Sequence, residues 1–218
     1  MRVGMIGTGV VGRTLGSKLV ELGHEVMMGS RQRGNEHAVE WCQSAGERAS
    51  EGTFADAAAF GEVVVNATAG AVSLQALRSA GASNFSGKVL IDVANPIAPD
   101  TGFPPELSVC NNDSLGEQIQ REFPDARVVK TFNTVNSDVM VNPPIAGRDH
   151  VVFVGGEDLA AKQLVSELLR SFGWDAGAIV DLGGIETSRG MEMYLELWLR
   201  LMIKLGTGHF NISITHAI

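Results

Sequence analysis

Cysteine is nearly absent: Cys42 and Cys110 are too few for a disulfide framework, and the chain opens without a charged and apolar leader. The expected compartment is therefore the reducing cytoplasm. Long hydrophobic runs are missing too. The most apolar stretch, near the C-terminus, is interrupted by Glu196, Arg200 and Lys204, so no membrane span is expected. Basic excess is lacking: 17 Lys and Arg against 25 Asp and Glu leave a net charge of -8, and such a surface repels nucleic acid and anionic lipid. The histidines His24, His37, His150, His209 and His216 show no H-x-x-x-H spacing and form no ligand pattern with the cysteines, so no metal is expected. No G-x-S-x-G elbow occurs, which leaves nucleophilic hydrolysis without a seat.

What is present is alternation. Apolar runs at residues 3–6, 25–28, 63–67, 89–93, 127–132, 151–154 and 179–182 are continuous rather than alternating, as in parallel strands covered on both faces. Helical segments lie between them. One, 11–22, places Leu15, Leu19 and Leu22 on one face and ends at Gly23. Another, 115–123, is announced by a capping box of Ser114 and Glu117 and stopped by Pro124; a third, 159–172, follows Glu157 and Asp158, which suit its positive end. The fold class expected is α/β, a Rossmann-type doubly wound, mainly parallel sheet with a small C-terminal α/β lobe. Two segments lack periodicity: 96–113, with Pro99, Pro104 and Pro105, reads as a rim over a site, and 133–150 marks a boundary between residues 1–142 and a lobe of 143–218.

The last helix, 186–205, carries one polar line, Glu192, Glu196, Arg200 and Lys204, which reads as a solvated stripe. Its other faces hold Met191, Tyr194, Leu195, Leu197, Trp198, Leu199, Leu201, Met202 and Ile203, more than one core needs. A homodimer through this helix is expected, with a fully buried core helix as the alternative.

Gly7-Thr8-Gly9-Val10-Val11-Gly12 sits between the first strand and the first helix, the context that gives a G-x-G-x-x-G string meaning. Gly7 would make the tight turn, Gly9 would admit a pyrophosphate, and Gly12 would let helix and strand pack, while the helix N-terminus supplies N–H donors. A plain glycine turn is the bland alternative. At the end of the second strand, where an NAD enzyme places a carboxylate against the ribose, the chain reads Gly29-Ser30-Arg31. A hydroxyl and a guanidinium suit a 2′-phosphate, so NADP(H) is favoured, with Arg33 as a second charge and a solvated Ser-Arg turn as the alternative.

In an open parallel sheet ligands lie outside the carboxyl ends of strands. The groups there are small and polar: Ala67, Thr68 and Ala69, then Asn95 and Pro96, suited to flank ribose and nicotinamide, then Asn133 and Thr134 near the expected nicotinamide edge. Those last two are the weak catalytic candidates. Hydride transfer to an acceptor with its own electronics needs orientation and dryness more than an acid or base. Lys130 is the nearby group able to protonate a carbonyl or imine, and its place inside a strand predicts a structural role.

Together Gly7 to Gly12, Gly23-His24-Glu25-Val26, Gly29-Ser30-Arg31, Val129-Lys130-Thr131-Phe132-Asn133 and the segment 189–198 resemble the coenzyme F420-dependent NADP oxidoreductase family, which includes the cytosolic domain of the STEAP metalloreductases. The resemblance implies that Thr8, Ser30 and Arg31 hold the 2′-phosphate, that a hydride passes between NADP(H) and a deazaflavin or flavin, and that the C-terminal lobe dimerises. It also implies that Thr187 and Ser188 face the acceptor. Asn133, where several deazaflavin-using members carry histidine, and the loop 99–110 depart from that family's pattern. A flavin, a small carbonyl or imine, a metal chelate, or an NADP(H) sensor without turnover are the other readings.

Overall fold

The computed structural model describes residues 1–215; His216 lies outside the described residues. Eight strands form one sheet in the order β3-β2-β1-β4-β5-β6-β7-β8: β1 Arg2–Ile6, β2 Glu25–Ser30, β3 Ala49–Thr53, β4 Val63–Asn66, β5 Val89–Asp92, β6 Arg127–Thr131, β7 Val152–Gly155 and β8 Ile179–Asp181. All neighbours pair in parallel except β6 and β7, which run antiparallel. The change of pairing falls after residues 133–150, and β7 and β8 continue the same sheet. The first six strands have the Rossmann order, and the chain reverses direction of travel across the sheet between β1 and β4.

Continuous apolar strands follow from cover on both faces. Val3, Met5, Val63 and Val65 point to one core with Leu15, Leu19, Trp41, Val165 and Phe172, from helices α1 Val10–Glu21, α2 Glu36–Ala45 and α7 Leu159–Ser171. Ile6, Val64 and Leu90 point to the other with Ala57, Leu77, Phe85 and Ile119, from α3 Phe54–Phe60, α4 Gly70–Ala80 and α5 Leu115–Glu122. The short helix α6 Ser137–Val141 breaks what reads in sequence as an irregular segment. Strand β3, Ala-Ser-Glu-Gly-Thr, has no apolar run because it is the sheet's edge and only Gly52 is buried. Segment 96–113 folds back on itself, with a bridge between Ile97 and Leu107.

The capping box expected at Ser114 forms only in part. Ser114 accepts the Glu117 N–H, but the Glu117 carboxylate accepts the Ser114 hydroxyl and the Arg189 guanidinium instead of reaching back to the backbone. A complete box occurs at Thr53 and Asp56 of α3. Asp113, just before α5, accepts two hydrogen bonds from Arg121, at 2.9 and 2.8 Å, and that guanidinium holds its carboxyl down to about 2. A depressed carboxyl stabilises the fold above its unfolded value and loses that contribution as pH falls through the folded one. Asp113→Asn should therefore cost about 1 kcal/mol in urea unfolding at pH 7, discounted for partial exposure, with the gap closing between pH 3.8 and about 2.

Candidate active site

Beyond the carboxyl ends of β1, β2 and β4 lies a groove of about 480 Å³. Gly7, Thr8, Gly9, Ser30, Arg31, Arg33, Ala67, Thr68 and Ala69 line it, so nine of the residues expected from sequence to hold the cofactor meet there. Gln32, Gly34, Asn35, Phe54 and Val72 complete the wall, and no lining residue is acidic. A larger hollow of about 880 Å³, against Arg13, Lys18, Glu21 and Trp41, is walled by helices and turns, and no strand end opens into it.

The glycine turn has distinct physical demands at each position. Gly7 has φ +119, and a Cβ there would fall 2.6 Å from the Ala67 carbonyl oxygen. At Gly12 a Cβ would fall 2.5 Å from the Gly7 oxygen, so helix and turn touch backbone to backbone. Gly9 differs: its φ is −72 and a Cβ there would meet nothing within 4 Å. The fold itself does not require glycine at 9. Helix α1 has no side-chain cap and no acid in its first turn, so the N–H groups of Val10, Val11 and Gly12 remain for a ligand. The Val10 side chain is exposed and lines the helical hollow instead. Gly9→Ala should leave the melting temperature within about 2 °C while weakening dinucleotide binding about tenfold or more, measured by calorimetry on the folded variant.

The end of the groove beyond β2 is cationic, with Arg31 and Arg33 in its wall. Ser30 is buried, and its hydroxyl hydrogen-bonds within the turn to the backbone of Gln32. Arg33 pairs with Asp56 at 2.9 Å, and Asp56 is itself fixed by the Thr53 N–H and hydroxyl, which hold its carboxyl below the usual range. Arg31 has no ion-pair partner among the described residues. Thus Arg31 is the guanidinium free to meet a phosphate, and Arg33 is already tied to the protein.

The opposite end is built differently. Thr68 turns its hydroxyl toward Asn66 and Ser73. Asn95 and Asn133 join by reciprocal amide contacts, Asn133 Nδ2 donating to Asn95 Oδ1 at 2.9 Å and Asn95 Nδ2 to the Asn133 carbonyl at 2.8 Å. Asn133 also donates to the Met191 carbonyl of α8 Ser188–Leu205. Phe132 adopts φ +63, a conformation costly for a bulky residue, and its ring stacks on Phe172. Pro96 follows Asn95, and its carbonyl accepts from Ser108 of the folded-back segment. Asn133 and Thr134 are both buried, with Asn133 Oδ1 and Thr134 Oγ1 unpartnered among the described residues. Ser188 is fully buried against α5, and the Thr187 hydroxyl donates to the Gly184 carbonyl; neither lines the groove.

Lys130 is fully buried and flanked by Asp92 and Glu192, each at 2.7 Å. Burial pushes its ammonium down, but the two carboxylates outweigh that and hold it above its ordinary value. Its ammonium is fully engaged, by Asp92, Glu192 and the Ala94 carbonyl. Glu192 therefore leaves the solvated stripe expected from its spacing: it is 1% exposed, and burial raises its carboxyl despite Lys130. Glu196 and Arg200 are exposed, as expected, with Oε2 and Nε 3.7 Å apart.

The strand order, the acid-free groove at the switch in direction and the uncapped glycine turn define a dinucleotide-binding protein of the Rossmann type. The family model for NADP oxidoreductase, coenzyme F420-dependent, matches residues 2–96, and the chain is 48% identical to a solved structure from Arthrobacter sp. FB24 described as an F420-dependent NADP reductase, with TM-score 0.94 over 99% of this chain and 100% of that one. The chain belongs to this family of NADP-dependent oxidoreductases. It is 29% identical to the F420-dependent NADP reductase of Methanothermobacter marburgensis, over 99% of each chain. It is also 28% identical, over 88% of its length, to metalloreductase STEAP3 of Rattus norvegicus, of which it spans 36%. No helix among the described residues is long and apolar enough to cross a membrane, and none of their side chains form a cluster able to hold a metal.

Proposed function

We propose that this protein transfers hydride between NADP(H) and a deazaflavin, coenzyme F420, or a flavin. The observation that carries the cofactor half is the pairing of an open Gly9 with an acid-free, Arg31-lined adenosine pocket. The acceptor half is supported by the 48% identity over the whole chain to a protein described as an F420-dependent NADP reductase. Bound NADP(H) would supply the hydride. The α1 N–H groups would bind the pyrophosphate, and Thr8, Ser30 and Arg31 the 2′-phosphate. Asn95, Pro96 and Asn133 would shape the nicotinamide end, with Thr187 and Ser188 beyond it on the acceptor side. An acceptor ring that takes the hydride and then a proton from solvent needs no protein acid, which fits a Lys130 sealed in the core.

The C-terminal residues 143–218 are proposed to carry dimerisation. Met193, Leu197, Ile203 and Leu205 of α8 are exposed, which supports a two-fold contact through this helix. The two free cysteines, Cys42 and Cys110, suit a cytoplasmic enzyme. The deciding experiment supplies NADPH with F420, FMN, FAD, a ferric chelate and a small imine in turn and follows NADPH loss. Turnover with F420 or a flavin is expected. Tight NADPH binding without turnover on any acceptor would replace this reading with that of a sensor, and turnover on the imine alone would replace it with that of an imine reductase.

A further inference from the structure

We infer that Glu192 is a positioning residue for the nicotinamide end of the cofactor: with Lys130 and the Asn95–Asn133 pair it brackets helix α8 to the strand ends that would hold that ring. The inference rests on the NADP(H) reading above. Both carboxylate oxygens of Glu192 are engaged. Oε1 contacts Lys130 Nζ at 2.7 Å and accepts the Gly116 N–H at 3.1 Å, and Oε2 accepts the Leu115 N–H at 2.9 Å, so this one side chain also caps α5. Lys130 in turn donates to Asp92 and to the Ala94 carbonyl, while Asp92 Oδ1 accepts from Asn66 Nδ2 at 2.8 Å and from the Ala94 N–H at 3.2 Å. The ends of β4, β5 and β6 are thereby joined by one buried cluster.

One residue past Ala94, Asn95 meets Asn133, and Asn133 reaches the Met191 carbonyl, the residue before Glu192. Helix α8 therefore grips the strand ends at two adjacent positions, once through charge and once through a neutral amide. Two carboxylates around one ammonium leave a net negative charge in the core, and apolar residues of similar volume would stabilise a sheet at least as well. What the cluster adds is fixed geometry. The cluster touches the groove through Thr68, whose hydroxyl donates to Asn66, whereas Ser30 and Arg31 follow β2 on the other side of β1 and contact none of its members. Loosening the bracket should consequently affect one end of the dinucleotide and spare the other.

The test compares two ligands on Glu192→Gln by calorimetry: 2′,5′-ADP, which carries the adenosine and its 2′-phosphate without nicotinamide, and NADPH. The expected result is 2′,5′-ADP affinity within about twofold of wild type, NADPH weakened about tenfold, and lower fluorescence anisotropy of the bound dihydronicotinamide. Unchanged affinity for both ligands overturns the proposal, and so does an equal loss for both, which marks general loosening. If Glu192→Gln does not fold, Glu192→Asp keeps the charge but shortens its reach to Lys130 and α5, and the same split is expected and the same outcomes overturn it. A wild-type protein that binds neither ligand refutes the cofactor reading itself, so the two failures are distinguishable.

Discussion

Arg31→Glu is expected to weaken NADPH binding by about 2 kcal/mol or more, roughly thirtyfold, while leaving NADH binding within a few-fold. The reasoning starts from charge. A 2′-phosphate is the sole chemical difference between the two cofactors, and Arg31 is the groove guanidinium not already paired, since Arg33 is held by Asp56. Removing it takes away a charge-assisted fork, and the new carboxylate adds repulsion where the groove has no acid of its own. Calorimetry with both nucleotides at fixed ionic strength gives the comparison. Equal losses for NADPH and NADH would mean that the residue supports the turn as a whole, and the assignment of cofactor preference to Arg31 would fail.

How much of this was readable in the sequence depends on whether a property is local. The first strand, glycine turn and first helix are contiguous, so their chemistry shows in the twenty residues from Arg2 to Glu21, and the replacement of a carboxylate by Ser30 and Arg31 shows at the end of the next strand. The parallel sheet was legible because strands covered on both faces carry continuous apolar runs, and β1, β4 and β5 do, with a polar residue only at one end: Arg2, Asn66 and Asp92. Edge strand β3 was not, because a strand that buries one glycine carries no hydrophobic signal. Phe54, which follows β3 into the groove, was missed for that same reason. Helical spacing put Glu192 in line with Glu196 but could not say which turn meets a neighbour. The partners that bury it, Lys130 and the α5 N–H groups, lie on other elements far away in the chain.

Lys130→Met should produce the largest loss of stability among single substitutions at the strand ends, about 3 to 5 kcal/mol in denaturant unfolding. The methionine is of similar length and apolar, so packing changes little; the loss comes from Asp92 and Glu192, left facing each other in the core without their shared cation. Asp92 keeps the Asn66 and Ala94 donors and Glu192 keeps the α5 N–H groups, which is why the cost stays below that of two bare buried charges. The sign of its pH dependence is fixed by the same picture. Burial already raises the Glu192 carboxyl and Lys130 opposes that rise, so without Lys130 its folded value lies further above the unfolded one. The deficit of the variant should therefore shrink as the pH is lowered toward the ordinary carboxylate range, whereas loss of packing alone would be insensitive to pH. Adding Asp92→Asn and Glu192→Gln to Lys130→Met should recover part of the stability at pH 7, since no charge is then stranded. A different outcome, in which Lys130→Met folds with near wild-type stability and binds NADPH normally yet loses turnover, would place a proton on Lys130 in the reaction and make the imine or carbonyl reductase reading the better one.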